Sequence, residues 1–77
     1  TRAYLTHRRM REGEIMRCLG DGIGRIPDMV LRMYKHLPET MYGAAARSVL
    51  AHLEHMVETS RVACDGKPGA ESHYRLP

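Results

Sequence analysis

The residues whose types and spacing could do chemistry are, first, a pair of histidines. In "RSVLAHLEHMVETSRV", residues 47 to 62, His52 and His55 stand three apart, and on a helix that spacing makes them surface neighbours able to touch one ion. A zinc site takes three or four ligands, and the chain carries no HExxH, no CxxC and no acidic partner pattern. His7, His36 and His73 are scattered, and Cys18 and Cys64 lie far apart in the sequence. No metal site of the chain's own is expected. The cysteines read as free thiols in a reducing, cytoplasmic compartment rather than as a disulfide. "GDGIG", residues 20 to 24, is no phosphate loop of the Walker type, because no Gly-Lys-Ser/Thr follows it. It reads as a turn.

The second concentration of chemistry is basic. Arg2, Arg8, Arg9, Arg11 and Arg17 all precede residue 20, opposed there only by Glu12 and Glu14, in a chain of net charge +3. Such an asymmetry suits either an anionic partner or a solvated helix face, and both readings stand on composition alone. Arg8 and Glu12 are four apart and can pair on a helix.

The elements that must position these groups fit one small domain over residues 1–77. The chain starts at Thr1 rather than at a methionine, which we read as a C-terminal fragment of a longer protein. It is 43% apolar and 27% charged, with no stretch near the roughly 18 apolar residues of a membrane span and no signal-peptide pattern. Phe and Trp are absent, so the core is expected to use Leu, Ile, Val, Met and Ala, with Tyr at its edges.

A first helix is expected over residues 3–19, with Leu5, Glu12, Ile15, Met16 and Leu19 on one side. Its first half offers arginines and Glu12 where a core helix would offer leucines, so it is expected to face something beyond this domain. A second helix follows over residues 25–37, with Pro27 in its first turn and Asp28 near its positive end. Ile26, just before the helix proper, could lie in a short extended segment. After Pro38 a third helix is expected over residues 39–59, with a core face of Tyr42, Ala46, Val49, Leu50, Leu53, Met56 and Val57. His52 falls at the border of that face and His55 on the exposed side. "SRVAC" and "SHYRL", joined by "DGKPGAE", then read as a β-hairpin. The chain is thus mainly α with a small β-hairpin, a winged helix-turn-helix of three helices and a two-stranded wing.

The third helix of a winged-helix domain commonly reads DNA. Base readout wants Arg, Lys, Asn or Gln on the outward face, and phosphate contact wants positive charge. Here that face is Ala44, Ser48, Ala51 and His55, flanked by Arg47, Glu54 and Glu58. Nucleic-acid binding is therefore the alternative rather than the first reading.

The ordered segments "HRRMREGEI" (residues 7–15), "RIPDMVLRMY" (25–34) and "LPETMYGAAARSVLAHLEHM" (37–56), with Tyr74 and Leu76 near the end, resemble the C-terminal winged-helix domain of metallo-β-lactamase-fold hydrolases, the lactamase-beta-like group. The resemblance covers essentially the whole chain. It implies a non-catalytic accessory domain that packs on its own N-terminal hydrolase domain and shapes substrate access. His7, Arg8, Arg11 and Glu12 would form the junction with that domain. His52 would hold the third helix through a hydrogen bond, or help line the neighbouring substrate cleft. The family's HxHxDH metal site is absent from the 77 residues, so zinc is expected only in a parent catalytic domain upstream. A homodimer is also open, and no membrane partner is expected. Two departures stand out. Gly13 lies inside the first helix, and Thr59-Ser60 stands where relatives carry Glu-Gly, which leaves the end of the third helix without its usual glycine.

Overall fold

The computed structural model describes residues 2–77, with side chains from Thr6 onward, so the expected core position of Leu5 and the charge of Arg2 lie outside the described side chains. In chain order the elements are α1 (Arg2–Gly20), α2 (Ile26–Met33), a 3-10 turn (Glu39–Met41), α3 (Tyr42–Glu58), β1 (Ala63–Cys64) and β2 (Tyr74–Arg75). This is the expected winged helix, three helices with a two-stranded wing. At about 1.5 Å per residue α1 is about 28 Å long, comparable with the longest dimension of the fold at 30 Å.

Helix α1 stops at the glycine-rich turn as expected. Gly22 takes φ +83°, its N–H donates to the Leu19 carbonyl (3.1 Å), and the N–H of Ile23 donates to that of Cys18 (2.8 Å). Two otherwise orphaned carbonyls are thereby satisfied in a Schellman closure. Helix α3 closes in the same way without a glycine. Ser60 is the one described non-glycine residue at positive φ, +64°, and its N–H reaches Val57 (3.0 Å) while that of Arg61 reaches Met56 (2.9 Å). Serine occupies a left-handed position of the kind that glycine most often takes at a helix end.

Helix α2 ends four residues earlier than the sequence suggested. Proline disfavours the helical region for the residue before it, so Leu37 before Pro38 could not continue the helix, and the chain leaves at Tyr34 (φ −126°, ψ 64°). Pro27 does lie in the first turn, and Asp28 beside it. Ile26 is helical rather than extended. The extended residue is Arg25, which forms an isolated antiparallel bridge with His73. The start expected for α3 is likewise a 3-10 turn before the α-helix begins at Tyr42.

The wing is shorter than its sequence segments. Ala63 pairs with Arg75 and Cys64 with Tyr74. The backbone N–H of Tyr74 also donates to the Gly24 carbonyl (2.7 Å), so the wing is stitched to the α1–α2 connection. Gly24 is required there. A Cβ on it would collide with the Tyr74 carbonyl and the His73 ring.

The core joins Ile15, Cys18 and Leu19 of α1, Ile26, Met29 and Val30 of α2, Ala45, Val49, Leu53 and Met56 of α3, and Val62 and Tyr74 of the wing. Tyr74 was expected at the edge of the core, yet it is 1% exposed. A buried phenol needs partners for its oxygen. Its hydroxyl donates to the Gly69 carbonyl (2.8 Å) and accepts from the Gly69 N–H (3.0 Å). Burial pushes its pKa up despite those bonds. One side chain thus fills the core and folds the wing loop back on itself.

The deepest face of α3 is Ala45, Val49, Leu53 and Met56, whereas Tyr42, Ala46, Leu50 and Val57 are only partly buried. At about 100° per residue, the buried stripe is rotated by roughly 45° from the expected centre, toward His52 and His55. Both histidines are consequently half-buried. His55, expected on the surface, is corrected to that position. The sequence showed a wide apolar stripe on α3, and the packing of α1 and α2 selected which part of it went deepest.

Candidate functional site

The site builds outward from Glu12, the one buried charged residue among those described, 8% exposed. It lies on the α1 arc that also carries Ile15 and Leu19, because residues three and seven apart share a helix face. Burying a carboxylate is costly unless its oxygens are paired. Two arginines meet that requirement. Arg61, just beyond the end of α3, donates from Nη1 to Oε1 (3.0 Å) and from Nη2 to Oε2 (3.3 Å). Arg8, one turn earlier on α1, brings Nε to 3.5 Å from Oε2, which is the pairing expected from their spacing. Burial by itself would raise the carboxyl pKa, but Arg61 and Arg8 together hold it below the ordinary value of 4.5.

Arg61 is itself held in place. Its Nε donates to Thr59 Oγ1 (3.0 Å), and that hydroxyl donates to the His55 carbonyl at the end of α3 (3.1 Å). The Thr59-Ser60 pair therefore has a structural use. Ser60 turns the chain, and Thr59 aims the next guanidinium at α1. Sequence reasoning missed Arg61 because it lies 49 residues from Glu12. An arginine just past a helix end carries no local sign of a distant carboxylate.

His52 sits against the same face of α1. Burial lowers its pKa below 6.5, with Arg8, Arg11 and His55 pushing the same way and Glu12 opposing them. The anticipated hydrogen bond of His52 is not among those formed between the described residues. Arg11 is committed elsewhere. It donates to Glu14 Oε1 (3.1 Å), and its guanidinium lies 4.7 Å from the centre of the Tyr34 ring, within cation–π range. Arg11 thus braces α1 against the chain leaving α2. His7 is exposed and takes no part in the buried cluster. Of the five sequence-predicted residues, the structure gathers Arg8, Glu12 and His52, puts Arg11 beside them with its own partners, and leaves His7 outside.

Before Glu12 the described part of α1 buries nothing. Thr6, His7, Arg9 and Met10 are exposed and Arg8 and Arg11 half-buried, with Met10 58% exposed. No three His, Cys, Asp or Glu side chains among the described residues stand close enough to hold one metal ion. Cys18 and Cys64 are both free thiols, and burial pushes the Cys18 thiol up from its ordinary pKa. Among the described residues no helix is long and apolar enough to cross a membrane.

What the arrangement does in this fold is fasten α1, through Glu12, to the end of α3 at Arg61. Neither a curated protein nor a solved structure matches the chain. Residues 26–70, from the start of α2 into the wing loop, match the family described as the beta-lactamase associated winged helix domain. The matched segment includes His52 and Arg61, while α1 precedes it. With more than half of its length matched and the expected order of helices and wing in place, the chain belongs to the beta-lactamase associated winged helix domain family.

Proposed function

We propose that the chain is a non-catalytic accessory domain of a metallo-β-lactamase-fold hydrolase, packed on the catalytic domain through α1 and shaping access to the substrate groove. The observation that carries this reading is the uncovered half of α1. Residues Thr6–Arg11 extend from an ordered anchor at Glu12 and bury nothing among themselves. Isolated helices of this length are marginal in water, and the exposed face formed by Thr6, Arg9 and Met10, three and four residues apart, suits a partner surface. His7, Arg8, Arg11 and Glu12 then form or brace the junction, and His52 stands behind them on α3.

In this reading zinc belongs to the catalytic domain and supplies the hydrolytic chemistry there, while the residues of this chain orient, shield and contact substrate. The test is hydrogen exchange on the chain alone and joined to its catalytic domain. Amides of residues 6–11 are expected to exchange at least about tenfold more slowly in the joined protein. Unchanged exchange there, or hydrolase activity in the 77-residue chain alone, would overturn the proposal.

Nucleic-acid binding has less support. The exposed face of α3 offers Arg47 against Glu54 and Glu58, among Ala44, Ser48 and Ala51. In the wing, Arg75 is taken up by Asp65 (2.6 Å), leaving Lys67 at the loop. A steep fall of nucleic-acid affinity with salt, lessened by removing Arg9 or Arg47, would favour this second reading instead.

A further inference from the structure

Where the last turns of α1 and α2 come together, an open pocket of about 250 Å³ is lined by Glu14, Arg17 and Cys18 of α1, Arg32 and Met33 of α2, and Lys35 just beyond it. That volume suits a small anion or the charged end of a small molecule rather than a drug-sized ligand. Three cations against one carboxylate leave an excess of two positive charges around it. Arg17 belongs to the basic run that precedes residue 20. Arg32 and Lys35 come from the next helix and its exit, and only the packing of α1 on α2 brings all three to one hollow.

Basic residues near a helix C-terminus often serve the last carbonyls. Here backbone N–H groups already meet those carbonyls. The N–H of Asp21 donates to the Arg17 carbonyl (3.1 Å), that of Ile23 to Cys18 (2.8 Å) and that of Tyr34 to Val30 (2.9 Å). Arg17 and Lys35 are exposed, and neither joins an ion pair among the described residues. The acidic groups nearby are engaged with other partners. Glu14 Oε1 accepts from Arg11 (3.1 Å), and Asp21 Oδ2 accepts from Nη2 of Arg32. The second pair holds Arg32 at the pocket through one end of its guanidinium. Two unpaired cations beside a partly paired guanidinium repel one another, and an anion between them removes that repulsion.

We propose that this pocket binds the phosphate group of a small phosphate monoester through Arg17, Arg32 and Lys35. A phosphomonoester dianion carries the charge that balances the pocket and presents three acceptor oxygens. The guanidinium forks of Arg17 and Arg32 suit paired oxygens, and Lys35 supplies a compact point charge. Met33 adds an apolar wall for the organic part of the ester. Both helices also end beside the pocket with their negative poles, which tempers the field. The expected Kd is therefore modest, about 1 mM. The site uses the last turns of α1 and not Thr6–Arg11, so it stands independently of the proposed junction with a catalytic domain.

The experiment is an amide chemical-shift titration of the 77-residue chain at about pH 7.5, where a monoester is a dianion, with ionic strength held constant. The probes are phenyl phosphate, inorganic phosphate and dimethyl phosphate. Phenyl phosphate is expected to give saturable shifts confined to the ends of α1 and α2 and the turn at Tyr34 and Lys35. Arg17→Gln and Lys35→Gln change exposed side chains and so keep the fold, which circular dichroism checks. Each should raise Kd at least about fivefold. Lys67→Gln removes the same charge from the wing loop and should change Kd by less than about twofold. Tighter binding of inorganic phosphate at the same amides would support the site and identify the free anion as the source of the group. Absence of saturation by about 20 mM overturns the proposal. So does a loss from Lys67→Gln equal to that from Arg17→Gln, which would mean general attraction to a basic chain. Dimethyl phosphate, a singly charged diester, binding as tightly as phenyl phosphate would overturn the monoester assignment and point to a nucleic-acid backbone instead.

Discussion

Replacing Glu12 with Gln tests whether its ion pair with Arg61 ties α1 to the base of the wing. The carboxylate side chain is 10% exposed and meets Arg61 at 3.0 Å, the arginine side chain being 42% exposed. A hydrogen bond to a charged group nets about 1.5–3 kcal/mol, and the exposure of Arg61 argues for the lower end of that range. Glutamine keeps the volume and one acceptor but loses the charge. The expected cost is therefore about 1.5–2 kcal/mol, most of it from leaving Arg61 and Arg8 without a counter-charge. For a domain of this size that lowers Tm by about 6–16 °C, read by circular dichroism near neutral pH. Arg61→Gln should cost less, because its partner Glu12 retains Arg8. The double variant should show about 1 kcal/mol of coupling between the two sites. A Tm within about 2 °C of the parent for Glu12→Gln, or strictly additive single effects, would refute the idea that this pair fastens the helix.

Other consequences can be checked on the same material. Ser60→Gly should raise stability by about 0.5–1 kcal/mol, because glycine accepts the left-handed backbone that serine adopts at a steric cost; a chemical denaturation midpoint that falls would contradict this. Gly24→Ala should destabilise by more than about 2 kcal/mol or prevent folding, since the wing backbone at Tyr74 occupies the space of the new methyl. Tyr74→Phe leaves both polar groups of Gly69 without their partner and should cost about 1–2 kcal/mol, with faster amide exchange confined to the wing loop. Acid should act in two stages. His52 has a folded-state pKa below 6.5, so its neutral form stabilises the fold above that pH and the contribution is lost as pH falls from about 6.5 to the lowered value. Glu12 is depressed below 4.5, so its contribution is complete above that pH and is lost as pH falls through the lowered value. A stability–pH curve for His52→Gln should lack the first loss, and one for Glu12→Gln the second.

Several features of the domain were legible from local chemistry. The glycine turn after α1, the proline at the start of α2, the break at Pro38 and the loop residues between the wing strands each act through the few residues beside them. Together they specify the winged-helix order. The Arg8–Glu12 pair was legible for the same reason, since four residues on a helix fix the separation of two side chains. The early end of α2 was also within reach, because the constraint on Leu37 comes from the proline that follows it.

The sequence by itself determined the order of the three helices and the wing and the polar character of the first half of α1, all of which follow from periodicity and turn chemistry over short spans. Tertiary structure alone decided which carboxylate would be buried, which arginine would meet it and which edge of α3 would face the core. Glu12 and Arg61 are 49 residues apart, and nothing in either neighbourhood encodes their meeting until α1 and α3 pack. Tyr74 is the same case in the core. Its aromatic ring is visible in the sequence, but its burial against three helices and its two bonds to Gly69 exist only once the wing has closed over the domain. Side-chain identity sets what a residue can bond to, and the assembled fold sets what comes within reach.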